Sequence, residues 1–313
     1  MTIHHRRNTL RKERAGFTPT LTVSAGFTLV ELPVTISIIS VLASVILTNV
    51  NSAREKARIG AGKQFYSATD HALGASAVGS WSFEQSGTNN TAYDSALGNN
   101  GTLVNGAQQV PASTCGLGLG GCLQLNGSDQ FVGLPVFSGQ TLLTDFTVSV
   151  WVNMQAHNPG GRTYIIDLRG NGPPAVQNTF SLILDNIAGV SEVHHYLAYS
   201  GSGHTEYDVP IKNPVGRWTH YALTRQGSEL HAYVDGSPIS NIFTSGSLAL
   251  RSDPMSLANG GRIGTYSGAP SGGPYWLNGF LDEVRIYSEA LTAYEIQQMY
   301  GEGASTHRVA EGK

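Results

Sequence analysis

The chain has 313 residues, of which 40% are hydrophobic and only 13% charged, with 38 glycines and 13 tyrosines. A composition so poor in charge and so rich in glycine and aromatics excludes a disordered chain and a long coiled coil as the main state, and it leans to all-β. The net charge of -3 gives no bulk basic character, so nucleic acid is not an expected partner.

The charge is unevenly placed along the chain. Arg6, Arg7, Arg11, Lys12 and Arg14 against Glu13 give residues 1–26 a local charge of +4, which leaves -7 on the remainder of a chain whose total is -3. A basic leader ahead of an acidic body marks a targeting segment. From Phe27 to Val50 the only charge is Glu31. As a helix this run would be about 36 Å long, enough to cross a hydrocarbon core of about 30 Å. The basic leader would then stay cytoplasmic, with the C-terminal body outside. Pro33 removes one helix hydrogen bond and is expected to bend the first turns. Beyond Val50 the helix is expected to continue, with Arg54, Glu55, Lys56 and Arg58 on a solvated face, and to end in the Gly/Ala/Ser run at residues 74–79.

The order of these features (basic leader, Gly26-Phe27 junction, Glu31, apolar run) resembles the class III leader of type IV pilins and type II secretion pseudopilins. The resemblance implies cutting by a prepilin peptidase between Gly26 and Phe27 and N-methylation of the new Phe27 terminus. Glu31 becomes the fifth mature residue, and its implied partner is the N-terminal amine of a neighbouring subunit. An unpaired carboxylate in hydrocarbon is costly, which gives that pairing its physical reason. The implied partners are other pilin or pseudopilin subunits, prepilin peptidase and the inner-membrane assembly machinery. The implied location is a single-pass precursor in the cytoplasmic membrane, then a cell-surface or periplasmic filament.

From Trp81 onward the apolar residues recur with period two, in Phe146–Met154 and in the runs RTYIIDLR, TFSLILD, RWTHYALTR and ELHAYVDG. Clusters of Gly, Asn, Pro and Ser separate these runs, and Asp235-Gly236 after Leu230–Val234 predicts a hairpin. One helix is signalled late, by the capping box Thr292-Ala293-Tyr294-Glu295, with Gly301 as its stop. The expected fold is a long N-terminal α-helix (a transmembrane stem) followed by an all-β two-sheet jelly-roll sandwich. The expected segments are a leader at 1–26, a transmembrane and stem helix at 27–76, a linker at 77–80, a jelly roll at 81–301 and a flexible tail at 302–313.

Pieces of the body resemble the laminin-G-like jelly rolls of the concanavalin A-like lectin/glucanase superfamily. In order they are Trp81-Ser82-Phe83-Glu84, Tyr93-Asp94-Ser95, residues 98–103, residues 123–132, residues 146–152, residues 217–224, Tyr233-Val234-Asp235-Gly236 and residues 279–287. The resemblance implies a structural Ca²⁺ joining the first loop to the last strand, at positions matching Asp94, Asn100 and Asp282, with Glu84 as a further ligand. Hard cations take oxygen ligands of this kind; a turn-forming role for Asp94 and a strand-end hydrogen bond for Asp282 are the alternatives.

The superfamily includes glucanases, which need two carboxyl groups about 5–5.5 Å apart for retention. Glu206-Tyr207-Asp208 lacks a third acid, and Asp282-Glu283 are adjacent and expected on opposite faces, so no enzyme is expected. Cys115 and Cys122 are the only cysteines. With no Cys/His cluster beside them for zinc, and an outer location expected, they are read as a short-loop disulfide. Tyr266, Tyr275 and Trp276 are candidates for stacking on a sugar, with surface glycans as the ligand class, although Trp276 could equally cap the core. The function expected is a pilin-like or pseudopilin-like filament subunit with a lectin-like head, for adhesion or glycan binding. The alternatives are a membrane-tethered glycan-active hydrolase and a structural pseudopilin without ligand.

Overall fold

The computed structural model describes residues 29–44, 73–84, 89–118, 120–137, 142–159, 161–169, 179–187, 190–199, 203–209, 214–240, 243–246, 254–267 and 275–307. The chain divides into two compact units, Met1–Glu55 and Lys56–Lys313.

In the first unit, helix α1 covers residues 31–44. Pro33 falls in its first turn, where the missing N–H has no helix partner to lose, so the helix runs on without interruption. Thr35 Oγ1 donates to the Glu31 carbonyl and Ser37 Oγ to the Pro33 carbonyl, each at 2.7 Å. These hydroxyls are thus satisfied by the helix itself. Leu32, Val34, Ile36, Ile38, Ile39, Val41 and Leu42 are each more than half exposed. Among the described residues no helix is long and apolar enough to cross a membrane. The Gly26-Phe27 junction and most of the expected 27–76 helix lie outside the described residues.

The second unit opens with β1 (Ala77–Trp81), β2 (Thr91–Ala92), β3 (Gly101–Val104), β4 (Gln108–Pro111), the single turn α2 (Ala112–Cys115), β5 (Gly121–Asn126) and β6 (Phe131–Leu134). Its middle holds β7 (Leu142–Leu143), β8 (Phe146–Ala156), β9 (Arg162–Asp167), β10 (Thr179–Ile187), β11 (Val190–Tyr199) and β12 (Gly203–Val209). It closes with β13 (Trp218–Gln226), β14 (Glu229–Val234), β15 (Ser237–Pro238), β16 (Phe243–Gly246), β17 (Met255–Ser256), β18 (Gly261–Ile263), β19 (Asn278–Tyr287) and helix α3 (Ala293–His307).

Two large sheets form the sandwich. The first runs β15-β14-β13-β8-β19-β5-β4, with β1 also on β19; the second runs β16-β12-β11-β10-β9-β18-β6-β3-β2. The period-two pattern explains what each face meets. On β8, Phe146, Val148, Val150, Val152 and Met154 point into the core between the sheets, where Phe180, Leu182, Ile165, Val132 and Ile263 of the second sheet meet them. Trp151, on the other face of β8, joins Val110, Cys115, Cys122 and Trp218 in a separate cluster against α3. Both faces of β8 are therefore buried, which is why even its Thr147 and Ser149 are buried.

The 77–80 segment is a buried strand instead of a linker. β1 pairs antiparallel with β19, from Ala77↔Tyr287 to Trp81↔Val284. Its small residues have a packing reason, since a Cβ on Gly79 would sit 2.3 Å from the Trp81 ring. Asp282 and Glu283 also differ from expectation. Between Asp282↔Trp151 and Arg285↔Ser149 the register of β19 slips against β8, and Glu283 takes a left-handed φ of 49°. This is a β-bulge, which breaks the simple alternation of faces.

Helix α3 starts at the predicted box: Thr292 N–H donates to Glu295 Oε2 at 2.7 Å and Glu295 N–H to Thr292 Oγ1 at 3.3 Å. It does not stop at Gly301, however, and the expected tail from 302 is helical as far as His307. The reason is what its last turns touch. His307 stacks on Trp151 with ring centroids 4.2 Å apart and planes 2° apart, and its Nε2 lies 3.0 Å from Asp282 Oδ2. Gly303 allows this approach, because a Cβ there would sit 2.2 Å from Trp151 Nε1. Beside this contact, Ser149 Oγ bonds His220 Nε2 at 2.8 Å, and the Arg285 guanidinium donates to Glu283 at 2.7 Å.

Burial sets the charge state of this seam. It holds His220 neutral, lowering its pKa from 6.5 to about 3, with Arg285 and His307 acting the same way. Burial likewise lowers His307 to about 4. Asp282 is held well above its ordinary value by burial first and then by the Glu283 carboxylate.

Two expectations follow from α3. Gly303→Ala gains at most about 1 kcal/mol of helix propensity but overpacks the Trp151 contact by about 1–3 kcal/mol, so the melting midpoint should fall. Gly301→Ala, with nothing within 4 Å of the new Cβ, should instead raise it, and thermal melts of the two variants check the contrast. The second concerns pH. Each buried histidine binds its proton in the unfolded chain below pH 6.5 but not in the fold, so each destabilises by about 1.6 kcal/mol in all as pH falls from 6.5 to 5. Asp282 has the opposite sign, because its raised pKa favours the fold more as pH falls. Two histidines against one carboxylate leave a net loss of at least about 1 kcal/mol over that interval. Denaturation at pH 6.5 and 5 should show that loss, and His220→Gln, which keeps an amide for Ser149, should remove about one histidine's share of it.

Candidate functional site

The cleavage pair Gly26 and Phe27 lies outside the described residues, and Glu31 stands at the first helical position of α1. Cys115 and Cys122 form the expected disulfide, with Cα atoms 6.3 Å apart. It is buried beneath α3, where the Cys115 carbonyl accepts from Trp218 Nε1 at 3.0 Å and Gly118 N–H donates to the Thr306 carbonyl at 3.0 Å.

The four residues expected to share a calcium ion are placed as two pairs. Asp94 is a turn hub. Its Oδ1 accepts the N–H groups of Ser80 and Ala96 at 2.7 and 2.9 Å, and its Oδ2 those of Leu97 and Asn99 at 3.2 and 2.8 Å. Asn100 Oδ1 accepts from Asp94 N–H at 2.9 Å and closes the same turn. Asp282 instead bonds His307, and the Glu84 carboxylate acts electrostatically on both Asp282 and His307. No three His, Cys, Asp or Glu side chains among the described residues are grouped so as to hold a metal ion.

The three aromatics singled out in the sequence do meet one face, the outer face of the second sheet. Hydrogen bonds of the main chain bring the 275–277 segment there: Tyr164 N–H donates to the Tyr275 carbonyl at 3.1 Å and Leu277 N–H to the Gly264 carbonyl at 2.9 Å. Asn158 Nδ2 donates to the Trp276 carbonyl at 3.1 Å. Tyr266 and Tyr275 pack on each other at 5.8 Å and on Tyr164 at 5.2 and 5.5 Å. Trp276 packs on Phe131 at 5.9 Å. Tyr266, Tyr275, Trp276 and Phe131 are half-buried, so each keeps part of its surface open.

Two arginines join this face. Arg169 lies over Tyr266 at 4.4 Å and over Tyr164 at 5.3 Å, and Arg262 lies over Phe131 at 4.6 Å. Arg169 is held by Asp167, a fully buried carboxylate, whereas Arg262 Nη1 donates to the Tyr266 carbonyl at 3.2 Å. Asp167 Oδ1 accepts from Ser181 Oγ at 2.6 Å and from Arg169 Nε at 2.8 Å, and Oδ2 accepts from Ser267 N–H and Oγ at 2.6 and 2.8 Å. One acid thus ties β9, β10 and the loop after β18 together. Burial works to lower the Arg169 pKa, but Asp167 and Tyr164 outweigh it and raise it, so this guanidinium is firmly charged. Burial pushes Tyr164 up and Arg262 down.

Tyr164, Asp167, Arg169, Arg262 and Phe131 were not singled out by sequence reasoning. The RTYIIDLR run holds three of them, but only the register that sets Gly133, Arg262, Asp167 and Ser181 in one row across four strands brings the face together. Chemically the face offers aromatic rings for apolar sugar faces and guanidinium donors for oxygen acceptors.

Residues 126–297, a little more than half of the chain, match the family described as the concanavalin A-like lectin/glucanases superfamily. The adhesion G-protein coupled receptor V1 of Danio rerio is 24% identical over 166 residues, which are 53% of this chain and only 2% of that receptor. Among solved structures, domain 4 of AbnA, a GH43 extracellular arabinanase from Geobacillus stearothermophilus in complex with arabinotriose, has a TM-score of 0.50 at 20% identity. That match covers 72% of this chain and 98% of the arabinanase domain. The botulinum neurotoxin serotype D binding domain has a TM-score of 0.51 at 14% identity, over 74% of this chain and 52% of its own. At such identities the two structures speak for the fold alone, a two-sheet lectin-like jelly roll, and with the match over residues 126–297 the chain belongs to the concanavalin A-like lectin/glucanases superfamily.

Proposed function

We propose that this chain is a filament subunit of pilin or pseudopilin type whose jelly-roll head binds glycans at the outer face of the second sheet. The observation that carries the glycan reading is the set of half-buried rings, Tyr266, Tyr275, Trp276 and Phe131, gathered beside Arg169 and Arg262. Rings left partly open beside fixed polar donors suit a sugar, which has an apolar face and a hydroxyl edge. The complex of the similar arabinanase domain with arabinotriose supports this choice of ligand class.

The filament reading rests on the Gly26-Phe27 junction, Glu31 and the apolar run after it. The exposed apolar side chains all round α1 support it, because such a helix needs lipid or neighbouring copies of itself to cover it. In this reading the chain starts in the cytoplasmic membrane and ends in a cell-surface or periplasmic filament.

The purified full chain on a glycan array that includes arabinotriose tests the binding reading. Tyr266→Ala or Trp276→Ala should weaken the strongest signal about tenfold, equivalent to ~1.4 kcal/mol, with the melting midpoint nearly unchanged. An array with no signal above background would refute it. For the filament reading, N-terminal sequencing of the mature protein should begin at Phe27, and Glu31→Ala should block assembly while leaving that terminus intact. Any other mature terminus would overturn it.

A further inference from the structure

We propose that the outer face of the first sheet carries a second sugar site, separate from the aromatic face, selective for a neutral, hydroxyl-rich ligand and built from side-chain amides. A cleft of about 300 Å³ opens where β4, β5 and β19 lie side by side, lined by Gln108, Gln124, Asn126, Gln130 and Asn278. No charged side chain lines it. Its volume is at the small end of ligand sites.

The register explains how five amides converge. Gln108 stands opposite Gln124, Gln124 opposite Phe280, and Asn126 opposite Asn278. Adjacent strands are about 4.8 Å apart, so the amides form a compact patch across three strands.

The five amides divide into a fixed wall and a free set. Asn126 Oδ1 accepts the N–H groups of Ser128, Asp129 and Gln130 at 2.9, 3.2 and 3.3 Å, and its Nδ2 donates to Asp129 Oδ1 at 2.8 Å. Gln130 Nε2 donates to the Gly106 carbonyl at 2.8 Å. These bonds hold one side of the cleft in place before any ligand arrives, which lowers the ordering cost of binding. Gln108, Gln124 and Asn278 make no side-chain hydrogen bond to another described residue, so their donors and acceptor lone pairs remain for a ligand.

The chemistry selects the ligand class. An amide both donates and accepts, as a hydroxyl does, and with no charge in the lining there is nothing to pair an anion or a cation. Phe280, half-buried and next to Gln124 in the same row, adds an apolar surface at the edge of the amides. A neutral sugar matches both elements. The aromatic face differs in carrying two guanidinium groups, so the two sites should rank ligands differently.

The test is calorimetric titration of the purified full chain with three neutral trisaccharides (arabinotriose, maltotriose and cellotriose), using wild type, Tyr266→Ala, and the double variant Gln108→Ala/Gln124→Ala. Both glutamines lie at the surface, and matching melts confirm that the variants fold. At least one trisaccharide should still bind Tyr266→Ala, and the same trisaccharide should bind the double variant at least about tenfold more weakly in the Tyr266→Ala background. Asn278→Ala should weaken it in the same direction. Loss of all binding in Tyr266→Ala would mean a single site and overturn the proposal while supporting the aromatic face. Binding unchanged by the amide variants, or no trisaccharide bound to Tyr266→Ala at the highest concentration, would also overturn it.

Discussion

Strand β19 has to serve two partners along one flank while holding a single partner on the other. It pairs with β8 along its length, with β5 through Asn278–Leu281 and with β1 through Val284–Tyr287. One uniform register does not serve all three neighbours, and the bulge at Glu283 takes up the difference. That bulge sits beside the buried Asp282, which the last turn of α3 reaches through His307. The first strand of the head, its central strand and its closing helix thus depend on the same short stretch of backbone.

The two outer faces of the sandwich have opposite fates as a result. The first sheet is largely covered by α3, with Trp151 between Tyr300 and His307 at ring distances of 5.5 and 4.2 Å. The second sheet carries no helix among the described residues, and Asp167 organises a charged and aromatic surface on it. Buried acids therefore do different jobs on the two faces: Asp282 anchors a cover, whereas Asp167 spends its lone pairs holding Arg169 and the Ser267 loop in place. Of the two acids, only Asp167 holds side chains that stay open to solvent; the open groups of the first sheet are the amides over β4, β5 and the start of β19.

Local patterns made much of the fold legible in the sequence. Alternation in Phe146–Met154 follows directly from inward and outward side chains, the Thr292/Glu295 box is a contact three residues long, and Asp235-Gly236 closes the β14–β15 hairpin. The aromatics at 266, 275 and 276 were legible because a loop that holds such rings has few reasons to do so. What was not legible involves pairs far apart in the chain. Gly301 and Gly303 look alike as helix breakers, yet Gly303 lies against Trp151, some 150 positions earlier, and permits the helix to dock. Arg169, Arg262 and Phe131 become neighbours only through the β6–β18–β9 register. Asp94 posed a different difficulty, since the same residue type serves as a calcium ligand or as the acceptor of turn N–H groups, and the four N–H groups it accepts come from positions the sequence does not mark.

The entry point of the chain into the head has a mechanical consequence. β1 is hydrogen-bonded to β19, an interior strand, and its first residue Ala77, with Leu73 just ahead, packs with Tyr287, Leu291 and Ile296. Tension applied from the N-terminal side therefore falls first on the β1–β19 ladder, the one pairing β1 makes among the described residues, and passes through β19 to β8. A ligand held on the second sheet pulls from the far side of the core, so traction between the two is borne by the packed interior as a whole.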